Sequence, residues 1–381
     1  MRRLSSRLLL SCFCIALLSV APTHASRCFA CVEPPKGDQD YIGNTQVPGV
    51  AFSLRPDYAT VAVKSIHQDP VAVARVEGTK AYKSLMRMGA TPASTEAVKY
   101  STWCPLYHNW TPQSVQNHLG YCQGDPEVDA MSDMLRKLQV AAEAQLGHAI
   151  CLVDISLSDR EAAKGRLEQI LDAAMANLGL TQAFDWKSND MALVLYNEGW
   201  FDLDYDKLEV VFLTVESDYT GTVNIDLSLM DEGVMETIRR HYNITGTTLP
   251  VQCHERTVPT MPKTCETSMY QRRVAIRKAL KAVTRPPFDD SNRETLPSLS
   301  KITVHGNAAH ETVLHEELRA AFDSYLPASS IAKNPTYSST LGGATRAFRD
   351  TNGPWFRRDP PQWCCLRSRG KGCPDGEHVD I

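Results

Sequence analysis

The chain has 381 residues, of which 43% are hydrophobic and 22% charged, and these values exclude a disordered, collagenous or coiled-coil protein. Its formal net charge is −4, and no block of Lys or Arg follows the first few residues. The sequence therefore lacks the basic surface expected of a protein that binds nucleic acid or an anionic membrane. A chain of this length exceeds the size that one core usually supports, so we expect two lobes or two domains.

The first 25 residues have the features of a secretory signal peptide. Arg2, Arg3 and Arg7 precede an apolar run over residues 8–20, and Ala25 provides a small residue at the expected cleavage position. The run is shorter than the ~20 residues needed to span a bilayer, although a short N-terminal anchor remains the alternative. We predict a secreted, extracellular protein with no membrane span after cleavage.

The number of cysteines agrees with export. Two of the twelve lie in the predicted signal peptide, and the even number that remains favours disulfides in an exported chain. Cys253 and Cys265 flank a short loop, as do Cys104 and Cys122, so each pair is predicted to be a local disulfide. Cys151 is either a buried free thiol or the partner of a distant cysteine. The other disulfide candidates are Cys28, Cys31, Cys364, Cys365 and Cys373.

Two further short motifs belong to the same compartment. Asn109 and Asn243 each begin an Asn-x-Thr sequon, so both are predicted glycosylation sites. Cys28-x-x-Cys31 has the spacing of a redox-active dithiol, but no βαβ pattern surrounds it. A structural role for this pair is the preferred interpretation, and redox activity is the alternative.

The first half of the chain is predicted to contain strands followed by helices. Alternating apolar runs separated by turn residues predict three strands, at residues 49–54, 59–66 and 71–76. After them we expect a helix at 80–88, a loop region at 89–125, a helix at 127–146 and a buried strand at 149–155. Ser158-x-x-Glu161 forms a capping box that predicts the start of a helix ending near Leu178.

The second half repeats this order. Its predicted strands lie at 208–215, 221–229, 233–242 and 301–305, and its predicted helices at 268–283, 309–322 and 342–349. Each half is therefore predicted to contain three strands, a connection, a helix, a strand and a helix. Such alternation indicates sheets covered by helices, which is the α/β class.

This duplicated layout resembles the actin-like ATPase superfamily, and several segments are similar to the ATPase domain of the 70 kDa heat-shock chaperones. Residues 47–63, VPGVAFSLRPDYATVAV, resemble that family's opening hairpin GIDLGTTxSxVAV, and ITVHG at 302–306 resembles its LVGGSTR step. The other segments of matching order are 149–166, 188–199, 211–226 and 343–348. The chain also resembles divergent fungal proteins of this type.

The resemblance implies a two-lobed actin-like fold with duplicated βββαβα units, disulfide-stapled loops and a Cys-rich tail. The implied boundaries are a signal peptide at 1–25, a Cys-containing leader at 26–46, a first lobe at 47–182, a second lobe at 183–350 and the tail at 351–381.

The phosphate-binding turns of the family are degraded in this sequence. At the first turn the family's Asp, Gly and Thr are replaced by Ala51, Ser53 and Leu54. At the second turn, residues 215–220, which come directly before Gly221, contain no glycine. Since backbone N–H groups in small-residue turns cradle the phosphates and carboxylates order the Mg²⁺, the resemblance implies that Mg-ATP hydrolysis is lost. No catalytic residue, metal or cofactor is predicted, and nucleotide binding remains an open alternative.

Polar residues nevertheless remain in these turns. The cleft candidates are Ser53, Arg55, Asp57, Glu216, Ser217, Asp218, Thr220, Gly306 and Asn307. They are either an altered ligand cleft between the lobes or ordinary turn residues that cap hairpins.

The sequence thus predicts a secreted, non-catalytic pseudo-ATPase that binds a small molecule or a partner protein outside the cell, with an extracellular effector as one form of that role. The alternative is a secreted enzyme that hydrolyses nucleotides or sugar phosphates in the cleft, with Glu216 or Asp218 as the base.

Overall fold

A computed structural model describes residues 47–88, 125–158, 165–183, 188–199, 210–231, 234–244, 253, 263–285, 299–322 and 330–352. The first half of the described chain contains β1 (Gly49–Leu54), β2 (Tyr58–Lys64), β3 (Val71–Glu77), α1 (Lys80–Met88), α2 (Pro126–Leu146), β4 (Leu152–Leu157), α3 (Arg166–Leu178), β5 (Thr181–Gln182), β6 (Ser188–Asn189) and α4 (Asp190–Asn197). The second half contains β7 (Val210–Ser217), β8 (Thr222–Asp231), β9 (Val234–Ile244), α5 (Lys263–Val283), β10 (Leu299–His305), α6 (Thr312–Phe322), β11 (Ser330–Ile331) and α7 (Ser338–Thr351). The α/β class is confirmed.

The strands form two mixed sheets that share one strand order. The first sheet runs β3-β2-β1-β4-β5, with β6 also paired to β4, and the second runs β9-β8-β7-β10-β11. In each sheet the first strand of the half is central, antiparallel to the next strand and parallel to the strand that follows a helix. β1 is therefore topologically equivalent to β7, and β4 to β10.

The first sheet is covered on both faces. Phe52, Leu54 and Val61 contribute to an apolar core with α2 and α3. On the other face Ala51 and Ala62 pack against α7. The small residues on that face let the backbones approach closely: a Cβ atom on Gly49 of β1 would lie 2.1 Å from the carbonyl oxygen of Ala344 in α7.

The second sheet has one apolar face and one polar face. Val215, Ile225 and Val304 lie in a core formed with α5 and α6. Since side chains alternate between the faces of a strand, their neighbours point the other way, and these neighbours are polar and buried: Thr214, Glu216, Asn224, Asp226 and Ser228. A buried polar face needs hydrogen-bond partners, and Glu216 and Asn224 hydrogen-bond each other through Glu216 Oε2 and Asn224 Nδ2.

Several element boundaries differ from the sequence predictions. α3 begins at Arg166 with Gly165 as its N-cap residue, so Ser158 does not cap this helix. The Ser158 hydroxyl instead donates to Glu216. β4 starts three residues later than predicted, and α7 extends beyond the predicted 342–349 at both ends, because its first turn packs buried Ser and Thr side chains against the first half.

One predicted disulfide is confirmed. Cys253 and Cys265 are bonded, with their Cα atoms 5.5 Å apart. Cys151 is also disulfide-bonded, to a cysteine outside the described residues, so it is not a free thiol. Asn243 lies in β9. The predictions that lie outside the described residues concern the signal peptide, the leader, the tail after residue 352, Asn109, Cys28, Cys31, Cys104, Cys122, Cys364, Cys365 and Cys373.

Among the described residues, none of the helices combines the length and the apolar composition that a membrane crossing requires.

Candidate functional site

The candidate site lies where the ends of β1 and β7 meet. Arg55 follows β1 in the turn to β2, whereas Glu216 lies near the end of β7 and Asp218 follows it. Side chains from these two topologically equivalent positions contact each other directly. The two sheets are therefore joined at the carboxyl ends of their central strands.

Arg55 is the centre of this contact. Its side chain is fully buried, Nη1 donates to Glu216 Oε1, and the same nitrogen lies 3.6 Å from Asp218 Oδ2. Nη2 lies 3.3 Å from His305 Nδ1 and 3.3 Å from the Ser339 hydroxyl. A buried cation is tolerated when it is paired and hydrogen-bonded in this way.

The turn that carries Arg55 is itself fixed. The Arg55 N–H donates to the carbonyl of Tyr58 at 2.9 Å, and the Tyr82 hydroxyl donates to the carbonyl of Arg55 at 3.0 Å. Pro56 restricts the backbone between them. The guanidinium therefore projects towards the second sheet from a backbone held on both sides.

Every oxygen of the Glu216 carboxylate has a donor within the protein. Oε1 accepts from Arg55 and from the Ser158 hydroxyl at 3.3 Å. Oε2 accepts from Asn224 Nδ2 at 3.4 Å, and the same amide donates to the Ser158 carbonyl at 2.9 Å. Residues from both halves thus surround one buried carboxylate.

Asp218 makes a second connection between the halves. Its Oδ1 accepts from the Tyr58 hydroxyl at 3.1 Å and from the Asn307 N–H at 2.9 Å. Asn307 Oδ1 in turn accepts from the Tyr219 N–H at 2.8 Å. The turns after β7 and β10 are therefore tied together, and Tyr58 ties them to β2.

Burial sets the protonation of the two neutral groups in the network. It raises the pKa of the Tyr58 hydroxyl well above its usual value. The charge of Arg55 lowers this pKa, and the charge of Asp218 raises it. Burial also lowers the pKa of His305 well below its usual value, and the Arg55 charge lowers it further. Because a guanidinium only donates, His305 Nδ1 accepts and the ring proton lies on Nε2. Tyr58 and His305 are therefore neutral members of the network, and its ion pairs join Arg55 to Glu216 and Asp218.

A second buried arginine, Arg272, contacts the Ser217 side chain. Arg272 of α5 donates from Nη2 to the Ser217 hydroxyl and from Nε to Glu311 Oε2, both at 2.6 Å. Tyr219 is close to this pair: burial raises the pKa of its hydroxyl, Glu311 raises it further, and Arg272 opposes both. Gly306 packs here with φ +96°, and a Cβ atom on it would lie 2.4 Å from the Ser217 carbonyl oxygen.

The structure brings most of the cleft candidates together. One network of hydrogen bonds and ion pairs, which we call the Arg55 network, contains Ser53, Arg55, Glu216, Asp218 and Asn307. Ser53 joins it through the Ser339 hydroxyl at 3.1 Å. Ser217 and Gly306 lie directly beside it: Ser217 accepts a hydrogen bond from Arg272, and Gly306 packs against the Ser217 backbone.

Two candidates lie apart from the network. Asp57 Oδ1 accepts from Arg87 Nη2 of α1 at 2.6 Å and lies 3.8 Å from Lys83 Nζ, so it ties β1's turn to α1. Thr220 is half-buried in the turn between β7 and β8.

Sequence reasoning missed several members of the network, namely Tyr58, Ser158, Asn224, His305 and Ser339. Asn224 and His305 carried a detectable pattern, because each is a polar residue on a strand whose neighbours are apolar. The other three contact the site through pairings more than fifty residues apart along the chain, which no local pattern encodes.

The chemistry that this arrangement supports is internal pairing. Glu216 and Asp218 are 0% and 1% exposed and accept hydrogen bonds from groups of the protein itself, so neither presents a solvent-facing carboxylate for proton abstraction. Within the described ranges no group of three or more His, Cys, Asp or Glu side chains has a metal-binding arrangement.

The sequence matches no protein-family model, and no curated protein is similar enough to count as a relative.

Proposed function

We propose that this chain is a secreted, non-catalytic binding protein built on an actin-like ATPase scaffold whose nucleotide cleft is replaced by internal ion pairs. The observation that carries the proposal is Arg55, a fully buried cation from one half that pairs with Glu216 and Asp218 of the other. The ligand is a small molecule or a partner protein outside the cell, and an extracellular effector is one form of this role.

The strand order supports the actin-like part of the proposal. Both halves place three antiparallel strands beside a parallel strand that follows a helix, in the same spatial order. A duplicated βββαβα unit is the architecture expected of that superfamily from the resemblance described above. The segments of matching order, at 47–63 and 302–306, lie on β1–β2 and at the end of β10, beside the Arg55 network.

Electrostatics supports the non-catalytic part. A phosphate-binding cleft needs small residues and donors at both turns, and carboxylates that are free to order hydrated Mg²⁺. Here the guanidinium of Arg55 takes the position of a ligand cation between Glu216 and Asp218. Ala51, at the place of the family's Asp, is a buried apolar residue that packs against α7, so it offers no carboxylate to a metal.

The cysteines support the extracellular location. The Cys253–Cys265 disulfide and the bonded Cys151 are typical of chains that fold in an oxidising compartment. Secretion through the predicted signal peptide is part of the same proposal.

Thermal unfolding of the oxidised protein with and without millimolar Mg-ATP and Mg-ADP tests the loss of nucleotide binding. A ligand at about 100 times its dissociation constant stabilises by about 2.7 kcal/mol, so we expect no shift in the melting temperature. The matched variant is Arg55→Thr, which restores the residue type of the family's turn. A clear shift in the unsubstituted protein would contradict the proposal.

Phosphate release is the companion measurement. We expect no hydrolysis of nucleotides or sugar phosphates. Hydrolysis that survives chelation and disappears in Glu216→Ala or Asp218→Ala would establish the enzyme instead.

A further inference from the structure

Helix α5 has two large apolar side chains on its solvent side. Tyr270 is 68% exposed and Val274 is 45% exposed, and they are four residues apart on the helix. Residues with this spacing are neighbours on a helix surface. The two side chains therefore form one apolar patch on a face that would otherwise be expected to carry polar residues.

Cations extend this patch towards the end of the helix. Lys278 and Lys281 are exposed and follow Tyr270 and Val274 along the same side of the helix, and the exposed Arg285 lies two residues beyond the helix end at Val283. These three make no ion pair among the residues that the structure describes. No acidic residue occurs in α5 after Glu266. We call these five residues, Tyr270, Val274, Lys278, Lys281 and Arg285, the Tyr270 face.

The remainder of α5 is engaged in holding the Tyr270 face in place. Ile276 and Val283 are fully buried in the core beneath the second sheet. Arg273 and Arg277 form ion pairs with Glu316 and Glu317 of α6. The helix cannot roll to bury the Tyr270 face without breaking these contacts, so the face is presented in a fixed orientation.

We propose that the Tyr270 face docks an acidic peptide segment that carries one or two apolar side chains, supplied by a partner protein. The inference deepens the proposed function and rests on it only in that the chain acts by binding. Charge complementarity selects this partner: two lysines on one helix face and an arginine just beyond the helix end have no acidic partner among the described residues, in a chain whose net charge is −4. A tyrosine beside them provides the kind of anchor that dominates the binding energy of many protein interfaces.

Other polyanions fit the Tyr270 face less well. An amphipathic membrane-binding helix needs a broad apolar face, but the apolar side chains of α5 other than Tyr270 and Val274 are mainly packed against the sheet. Nucleic-acid binders neutralise about 6–10 phosphates, whereas this face offers three cations. A peptide with acids flanking an apolar residue matches both the number of charges and the size of the apolar patch.

Fluorescence anisotropy with a labelled probe tests the proposal. The probe is a short glutamate-rich peptide with one tryptophan and one leucine, compared with polyglutamate of equal length and with phosphatidylcholine vesicles containing phosphatidylserine. The test variant is Val274→Ser with Lys278→Glu. Its matched control is Arg136→Glu with Val140→Ser on α2, because Val140 is 59% exposed and Arg136 is an exposed cation four residues away.

We expect the probe to bind the unsubstituted protein and the control variant with equal affinity. In the test variant the affinity should fall about tenfold, which is a loss of about 1.4 kcal/mol of binding free energy. Should the test variant fail to fold by circular dichroism, Tyr270→Ser takes its place. The proposal is overturned if the probe does not bind, if the control loses as much affinity, or if polyglutamate or the vesicles bind at least as tightly as the probe. The nucleotide experiment on the same samples reports separately on the proposed function, because Arg55 and the Tyr270 face share no residue.

Discussion

The two sheets have the same strand order but opposite charge at equivalent turns. The turn after β1 supplies the cation Arg55, whereas β7 and the turn after it supply the carboxylates Glu216 and Asp218. A buried charge needs a partner of opposite sign. The difference therefore shows how each of the two central turns in a duplicated scaffold can provide the partner for the buried charge of the other.

The faces around these turns differ as well. The first sheet meets α7 through small apolar residues such as Ala51 and Ala62, and the second sheet turns a polar face that includes Glu216 and Asn224 into the same region. One half contributes close packing and the other contributes hydrogen-bond partners. Substitutions that remove one of these contributions at a time measure them separately.

Glu216→Gln breaks the charge pairing and is expected to have the largest effect. It replaces one of the two carboxylates beside the buried Arg55 by a neutral amide and leaves Asp218, 3.6 Å from the guanidinium, as the other. Removing one member of a buried ion pair typically costs about 3–5 kcal/mol of unfolding free energy. Glu316→Gln is the control, because its ion pair with Arg273 is exposed and such pairs contribute about 0–1 kcal/mol. Urea unfolding of both variants measures the difference, and equal losses would contradict the central role of the Arg55 network.

Gly342→Ala breaks the close packing of α7. A Cβ atom there would lie 1.7 Å from the Leu193 carbonyl oxygen, so we expect a loss of about 3 kcal/mol of unfolding free energy from overpacking. Gly147→Ala is the comparison: its φ is +74° and no atom lies within 4 Å of the added Cβ, so only backbone strain of about 1 kcal/mol applies. Thermal and urea unfolding should rank the two variants in this order.

Replacing both Cys253 and Cys265 with Ser tests how much their disulfide contributes to the stability of the second half. The disulfide closes a loop with a sequence separation of 12, and a cross-link of this size stabilises by about 2–3 kcal/mol. We expect a corresponding fall in stability relative to the oxidised, unsubstituted protein, and the double substitution creates no free thiol that could pair elsewhere. An unchanged melting temperature would show that the cross-link adds nothing to this half.

The smallest expected effect concerns pH. Burial lowers the pKa of His305 well below its usual value, so the unfolded chain binds more protons at this residue once the pH falls below about 6.5. The contribution to stability is intact above that pH and is lost as the pH falls towards the folded pKa. His305→Gln keeps an acceptor for Arg55 and should flatten the fall in unfolding free energy between pH 7 and 5, to be measured by urea unfolding across that range. An equally steep fall in the variant would assign the pH dependence to other groups, among them His241, whose pKa burial also lowers.

Local patterns were sufficient to predict most elements of the fold. β1 and α1 have the predicted bounds. The helical apolar spacing of α1 reflects the burial of one face, whereas every residue of β1 is buried. The start of α3 was wrong for a physical reason: Ser158 has the sequence context of an N-cap, but its hydroxyl bonds Glu216, which is 58 positions away.

The site was predictable only as a set of residues. The two turns were recognisable by their resemblance to the phosphate-binding turns of the actin-like ATPases, so Arg55, Glu216 and Asp218 were identified as candidates. Their pairing was not predictable, because Arg55 and Glu216 are 161 positions apart and no sequence rule relates charges at that distance. His305 and Ser339, which complete the contacts of Arg55, depend on the same long-range arrangement.

The contact between β1 and α7 also has a consequence for biosynthesis. Val47 exchanges hydrogen bonds with the Asn352 side chain across 305 positions, at 3.0 and 2.8 Å, and α7 covers one face of β1. Since a chain leaves the ribosome N-terminus first, the first sheet remains uncovered on that face until the chain has been synthesised through Thr351. Structure that depends on such distant segments forms slowly. The first half of this protein therefore cannot complete its packing until α7 of the second half has formed.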